Sequence, residues 1–233
     1  MLLRSSAVVI RRVVVALVLS VLAGVTAIAQ TTPAWAVESW STPVDLSDDT
    51  QDGYFPQIVA APNNTLTAIW ELGAPEVIQT RSSSDGGATW STVVNLSDGT
   101  QKALNPQIVA APNNTLTAIW YRSNGTKYVV QTRTSSDGGA TWSTVVNLSD
   151  DTQSAYDPQI VAAPNNTLTA IWYRSNGTKD VVQTRSSSDG GATWSAAVDL
   201  SDDTQSAYKS QIVAAPNNTL TAVWERWNGT KNV

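Results

Sequence analysis

The chain has 233 residues, with 14 Lys and Arg against 19 Asp and Glu, ten Trp, one Phe, and neither Cys nor His. The missing cysteines exclude a disulfide framework and thiolate metal sites. The missing histidines remove the commonest general base and metal ligand, and with them Ser-His-Asp hydrolysis and most zinc and redox-metal chemistry. Carboxylates, Tyr, Arg and Lys remain, so glycosidase chemistry stays open, while no cofactor or metal is expected.

In chain order, residues 1–36 read as an export signal. Arg4, Arg11 and Arg12 form a basic start, Val13 to Ala29 an apolar core, and Ala34-Trp35-Ala36 a small-x-small cleavage site. Ala27-Ile28-Ala29 offers a second cut, and an uncleaved membrane anchor is the alternative, at the lower length limit for spanning a bilayer. Cleavage is favoured because the first repeat begins right after Ala36, leaving a secreted chain of residues 37–233, with bacterial export expected. Arg11-Arg12 alone is too short a motif to specify the twin-arginine route. Cleavage removes three arginines and no acid, so net charge goes from 14 − 19 = −5 to 11 − 19 = −8. Such a chain is not expected to bind nucleic acid or, once the signal is gone, an anionic membrane.

The remainder is periodic. Trp90, Trp142 and Trp194 recur every 52 residues, as do Trp120, Trp172 and Trp224, while Trp70 to Trp120 is 50. One unit, residues 106–149, divides into four runs rich in Val, Ile, Thr and aromatics. Pro106 to Ala111 is stopped by Pro112-Asn113-Asn114, and Leu116 to Arg122 by Ser123-Asn124-Gly125-Thr126. Tyr128 to Ser135 ends in a glycine-rich octet, and Ser143 to Leu148 follows. Each run has strand composition between turn residues, and Asn-Gly is a strong hairpin signal. Four short antiparallel strands in about fifty residues predict the blade of a β-propeller, against the alternatives of a sandwich or a solenoid. The fold class is therefore all-β.

The octet Ser-x-Asp-x-Gly-x-Thr-Trp occurs at Ser83, Asp85, Gly87 and Trp90, at Ser135, Asp137, Gly139 and Trp142, and at Ser187, Asp189, Gly191 and Trp194. A decayed copy stands at Glu38-Ser39-Trp40. The Asp can bond the amides that follow it, the glycines can take positive φ, and the Trp can pack beneath the turn. At this motif the chain resembles the Asp-box (BNR) repeat family, whose members include sialidases and other secreted β-propellers; the resemblance covers roughly residues 38–233. It implies that the box joins the third and fourth strands of a blade.

Complete blades are expected at about 56–97, 106–149 and 158–201, with first and second strands of a further blade at 211–215 and 220–226. Trp40 to Leu46 matches a fourth strand and is placed to close that last blade. Asp-box propellers generally have six or more blades. Either the chain is truncated, the favoured reading, or several copies form a homo-oligomer that completes the ring.

Antiparallel strands put the Asp boxes on one rim and the Asn-Gly turns and Leu-Ser-Asp loops on the other. The repeats are nearly invariant on the Asp-box rim and differ on the opposite one, which suggests a ligand face there. Candidate binding residues on it are Tyr54, Tyr156 and Tyr208, with Arg122, Arg174 and Arg226 and the neighbouring Trp227. Aromatic faces and guanidinium forks suit sugar rings and carboxylates, so a glycan or cell-surface ligand is expected. The competing reading has Tyr121 and Tyr173 packed between blades and the arginines paired with Asp150, Asp151, Asp202 or Asp203.

The resemblance raises exo-sialidase activity as the alternative, which would need three arginines on a carboxylate, a Tyr nucleophile activated by Glu, an Asp acid/base and an Arg-Ile-Pro motif. The nearest stretch, Phe55-Pro56-Gln57-Ile58, lacks the Arg, and repeat-related arginines would spread around a ring. No catalytic residue is therefore assigned. Nine Asn-x-Ser/Thr sequons read as turn residues, and the Asp pairs at 48–49, 150–151 and 202–203 as solvated loop acids, not calcium ligands.

Overall fold

The structure, a computed structural model, describes residues 9–10, 13–14, 39–48 and 50–233. Residues 1–36, expected to be an export signal, fall outside the described residues except for two short strands, β1 (Val9–Ile10) and β2 (Val13–Val14). These pair antiparallel with β4 (Val44–Asp45) and β3 (Ser39–Trp40) respectively.

Three four-stranded antiparallel blades follow, each with its strands side by side in chain order. The first holds β5 (Gly53–Ala60), β6 (Leu66–Leu72), β7 (Val77–Ser83) and β8 (Val94–Asn95). The second holds β9 (Ala103–Ala110), β10 (Leu116–Ser123), β11 (Tyr128–Ser135) and β12 (Val146–Asn147). The third holds β13 (Ala155–Ala162), β14 (Leu168–Ser175), β15 (Asp180–Ser187) and β16 (Val198–Asp199). A two-stranded sheet of β17 (Ala207–Ala214) and β18 (Leu220–Arg226) comes last. The predicted all-β propeller architecture is present, and the described residues contain no helix.

Three expectations need correction. The innermost strands start three residues before the Pro-Gln-Ile or Ser-Gln-Ile run, because a register shift lets the chain keep pairing through what reads as a loop. The fourth strands are two residues long: after the Asp box Asn147 and Val146 pair with Gln131 and Thr132, flanked by single backbone bonds from Ser143 to Thr134 and from Leu148 to Val130, and Leu148 is buried in the blade seam. Finally, β4 pairs with β1 and not with the β17–β18 sheet. The N-terminal segment does occupy a fourth-strand place, but ahead of the first blade: Leu46 is buried beside Ala68 and Trp70.

The core sits in the seams between blades. Trp70, Trp120 and Trp172, on the second strand of each blade, have no exposed surface. Burying a Trp of about 150–250 Å² at roughly 25 cal/mol/Å² gives an upper bound of about 4–6 kcal/mol each. Around Trp120, for example, Ile69, Ile78 and Leu96 of the first blade meet Ala103 and Ala118 of the second, with Trp142 packed against them. An arginine crosses each seam. Nη1 of Arg81, Arg133 and Arg185 donates to the carbonyl of Leu46, Leu96 and Leu148, and Nε to Ser91, Ser143 and Ser195. These carbonyls would otherwise face a partly dehydrated seam, which is why an Arg recurs there.

The Asp boxes form the hairpins expected of them. In the second copy Ser135 Oγ donates to Asp137 Oδ1 at 2.7 Å and accepts from the Gly139 amide at 2.9 Å. Asp137 then accepts from the Thr141 hydroxyl and amide, and Gly138 and Gly139 have φ of 74° and 90°. The Thr141 contacts above all hold the Asp137 carboxyl down at about 2. The box follows β11 and the Asn124 turn precedes it, so the two lie at opposite ends of that strand. Asparagines stitch the Asp-box rim: the Asn63, Asn113 and Asn165 amides donate to the side chains of Asn114, Asn166 and Asn218 in the next blade.

Candidate functional site

The register shift on each innermost strand has a consequence at the centre of the molecule. It leaves Phe55, Asn105, Asp157 and Lys209 at left-handed φ values of 48°, 50°, 47° and 52°. Asn and Asp tolerate this region, whereas Phe and Lys pay about 1–2 kcal/mol of strain. The same non-glycine strain in every repeat marks a position that the fold holds deliberately. These four residues share one cavity of about 410 Å³, with Gln57, Gln107, Gln159 and Gln211 beneath them. Only a place on the propeller axis can touch the equivalent residue of all four sheets. The strands enter this end from the Leu-Ser-Asp loops, so the cavity opens on the rim opposite the Asp boxes.

The four side chains differ: one aromatic, one amide, one carboxylate and one ammonium. They are linked across blades, since Asn105 Nδ2 donates to Asp157 Oδ1 at 2.9 Å. The Asn105 amide also donates to Glu71 Oε2 at 3.2 Å. Glu71 is only 5% exposed. Burial pushes its carboxyl up, against the downward pull of that amide bond and of Lys102. Glu71 and Asp157 therefore stand on either side of Asn105, one bonded to its backbone N–H and the other to its side-chain Nδ2. Lys209 is drawn aside by Glu225, 3.1 Å from its Nζ, where both groups are solvent-exposed.

Beside the cavity runs a ladder of tyrosines. Tyr121 and Tyr128 meet edge to face at 5.3 Å, and Tyr121 meets Tyr156 at 5.5 Å. Tyr156 continues to Tyr173 at 5.5 Å, and Tyr173 to Tyr208 at 6.4 Å. Burial, then the nearby Asp157 and other negative groups, raises the Tyr121 phenol well above its ordinary value and Tyr173 to about 12. Both stay neutral at any physiological pH. They can offer a ring face and a hydroxyl, but the environment disfavours a phenolate nucleophile.

The predicted binding residues divide in two. Tyr156 and Tyr208 belong to the ladder, and Tyr208 also donates to Asn232 Oδ1. Tyr54, at the first blade, is 41% exposed and donates to Asp52 Oδ2 at 2.9 Å. The arginines stay apart from the cavity. Arg122, Arg174 and Arg226 each clamp the loop of the preceding seam through Asp98, Asp150 and Asp202, with Thr100, Thr152 and Thr204 as second acceptors. The Arg122 pair is 2.6 Å long. Trp227 lies just past β18, partly exposed and bridged to Asn232. The structure thus does not gather the arginines around one point.

Sequence reasoning passed over the residues nearest the axis: Phe55, Asn105, Asp157, Lys209 and Glu71. The available signal was position. Phe55, Asn105, Asp157 and Lys209 each end a variable tetrapeptide such as Ser154 to Asp157, directly ahead of the Pro-Gln-Ile or Ser-Gln-Ile run, and all four differ in chemistry. In three of the tetrapeptides a tyrosine stands one residue earlier and carries the more obvious sugar-binding chemistry.

Among protein families, the BNR repeat-like domain model matches residues 25–227. No curated protein sequence matches the chain. Solved structures share its fold. A GH93 α-L-arabinofuranosidase of Fusarium graminearum aligns at TM-score 0.56 and 20% identity over 77% of this chain and 58% of its own. A Penicillium chrysogenum α-L-arabinanase aligns at 0.58 and 17% over 77% and 60%. A Hadza microbial sialidase aligns at 0.56 and 13% over 78% and 46%. The chain spans less than two thirds of the length of each of these neighbours.

Proposed function

Starting from a chain that belongs to the BNR repeat-like domain family, we propose a secreted β-propeller module that binds a glycan at the axial mouth opposite the Asp boxes. One observation carries the reading: the strained bulge brings an aromatic, an amide, a carboxylate and an ammonium into a single cavity, beside a row of tyrosine rings. A concave site with a few converging polar groups and aromatic walls is the usual form of a sugar pocket. The glycan-acting neighbours of the same fold support that ligand class. Export would be tested by sequencing the N-terminus of the secreted protein, which should begin at Val37.

A glycan-array screen of the full chain, repeated with Asn105→Ala and Asp157→Ala, tests the binding site. The expected result is a restricted set of glycans bound by the parent and lost, by tenfold or more, in both variants. An empty array, or binding indifferent to both changes, contradicts it.

A second reading is a glycoside hydrolase, favoured by the two unlike carboxyls flanking Asn105. Glu71, whose carboxyl is raised by burial, would serve as the proton donor and Asp157 as the second carboxyl of the pair. Turnover of arabino-oligosaccharides or a fluorogenic sialoside, abolished by Glu71→Gln, would establish it; binding without turnover leaves the module reading.

A further inference from the structure

The opposite rim carries grooves that neither the turns nor the axial cavity account for. Between the second and third blades lies a cavity of about 690 Å³, lined by Asn113, Thr115, Ser136, Trp142, Asn166 and Ser188 among others. Between the first and second blades a groove of about 360 Å³ is built from largely equivalent residues, including Thr65, Ser84 and Ser91 on one wall and Asp137 to Ala140 on the other. Each is formed where the Asp-box hairpin of one blade leans on the third strand and box of the blade before it.

The chemistry of these linings is narrow. The ionisable lining groups are Asp137 and Asp189, and their own hairpins already bind those carboxylates. No Lys, Arg or Glu lines either groove, so neither has the charge to select an ion. Hydroxyls and the side-chain amides of Asn113, Asn165 and Asn166 surround the Trp142 indole in the larger groove, while the smaller one sets the hydroxyls of Thr65, Ser84, Ser91 and Thr92 beside the carbon surface of Val94 and Ala140. Hydroxyl and amide groups beside an indole do match the vicinal hydroxyls and C–H face of a neutral sugar. Ser84, Ser136 and Ser188 fill the free position of the Ser-x-Asp motif, are exposed, and take no part in the hydrogen bonds that close the hairpins. All three are nevertheless serine.

We infer that the Asp-box rim is a second carbohydrate surface, on which a linear neutral polysaccharide lies across successive blade seams, one stretch of chain per groove. Repetition at each seam supplies weak, similar sites that act together on one polymer. This surface is independent of the axial site and stands or falls separately from it.

Affinity electrophoresis of the full chain through gels containing linear arabinan, galactan or mixed-linkage β-glucan tests it. At least one polymer should retard the parent chain. Ala140 and Ala192 are exposed at the groove edges, so Ala140→Trp with Ala192→Trp should fill both grooves and weaken retardation at least tenfold. Binding of array glycans to the axial site should be unchanged in that variant. Ser136→Ala with Ser188→Ala removes only hydroxyls and should weaken retardation several-fold; it decides the matter if the Trp variant does not fold. No retardation by any polymer, retardation unaffected by the serine changes, or retardation lost instead in Asn105→Ala would overturn the inference.

Discussion

Gly190 and Gly191 are adjacent in one Asp box, yet replacing each with Ala should have very different effects. Both have left-handed φ, 74° and 91°, so either alanine costs about 1–2 kcal/mol of backbone strain. At Gly190 the nearest atom to an added Cβ is Thr115 Cγ2 at 4.0 Å, so strain is the whole cost. At Gly191 the Cβ would stand 2.6 Å from Thr134 Cγ2 and 3.6 Å from Leu168 Cδ1. Thr134 is β-branched, belongs to β11 of the preceding blade and cannot rotate away freely. Overpacking of this kind adds about 1–3 kcal/mol. Gly191→Ala should therefore be less stable than Gly190→Ala by about 1–3 kcal/mol. With a urea dependence of about 3 kcal/mol/M for a chain of this size, the midpoints should differ by roughly 0.3–1 M. Urea unfolding followed by Trp emission reads this directly. Equal midpoints would refute the claim that the box hairpin is wedged against the neighbouring blade.

Arg133→Met keeps the stem but strands the carbonyls of Ser143, Leu96 and Trp142; a loss of about 2–4 kcal/mol is expected in the same urea assay. Asp137 has a depressed folded-state pKa of about 2 against about 3.9 in the unfolded chain, so its contribution is present above the higher value and vanishes as pH falls through the lower one. Asp137→Asn should accordingly be less stable than the parent at pH 7, with the gap closing between about pH 4 and pH 2 in thermal melts. Glu71 has the opposite sign: its pKa is raised by burial, so ionisation destabilises the fold as pH rises past the ordinary carboxyl range. Glu71→Gln should raise the melting temperature at pH 8 and change it little at pH 4.

What the sequence disclosed was set by local chemistry. The Asp box closes within eight residues through Ser135, Asp137 and Thr141, so its motif can be read without knowing any neighbour. The four-strand blade follows from alternating strand runs and turn residues for the same reason. The axial cavity is different. Nothing local marks Asp157 as a partner of Asn105, 52 residues earlier; only the ring arrangement brings them to 2.9 Å. The bulge that turns them there lies in a segment whose polar, variable composition reads as loop. Arg122 and Arg174 illustrate the converse: their chemistry suggested recognition, with pairing to loop acids as the competing reading, and the turn of the seam puts Asp98 and Asp150 within their reach. Trp120 and Trp172, similarly, were legible as repeat markers but not as the seam core they form with the preceding blade.

The axial bulge is the proposed place where ligand meets protein. Hydrogen–deuterium exchange of the full chain, with and without a short glycan selected from the array, examines that place directly. Slowed exchange is expected at the starts of the four innermost strands, residues 53–57, 103–107, 155–159 and 207–211. Slowing confined to the loops carrying Arg122, Arg174 and Arg226, with those strand starts unchanged, would contradict it.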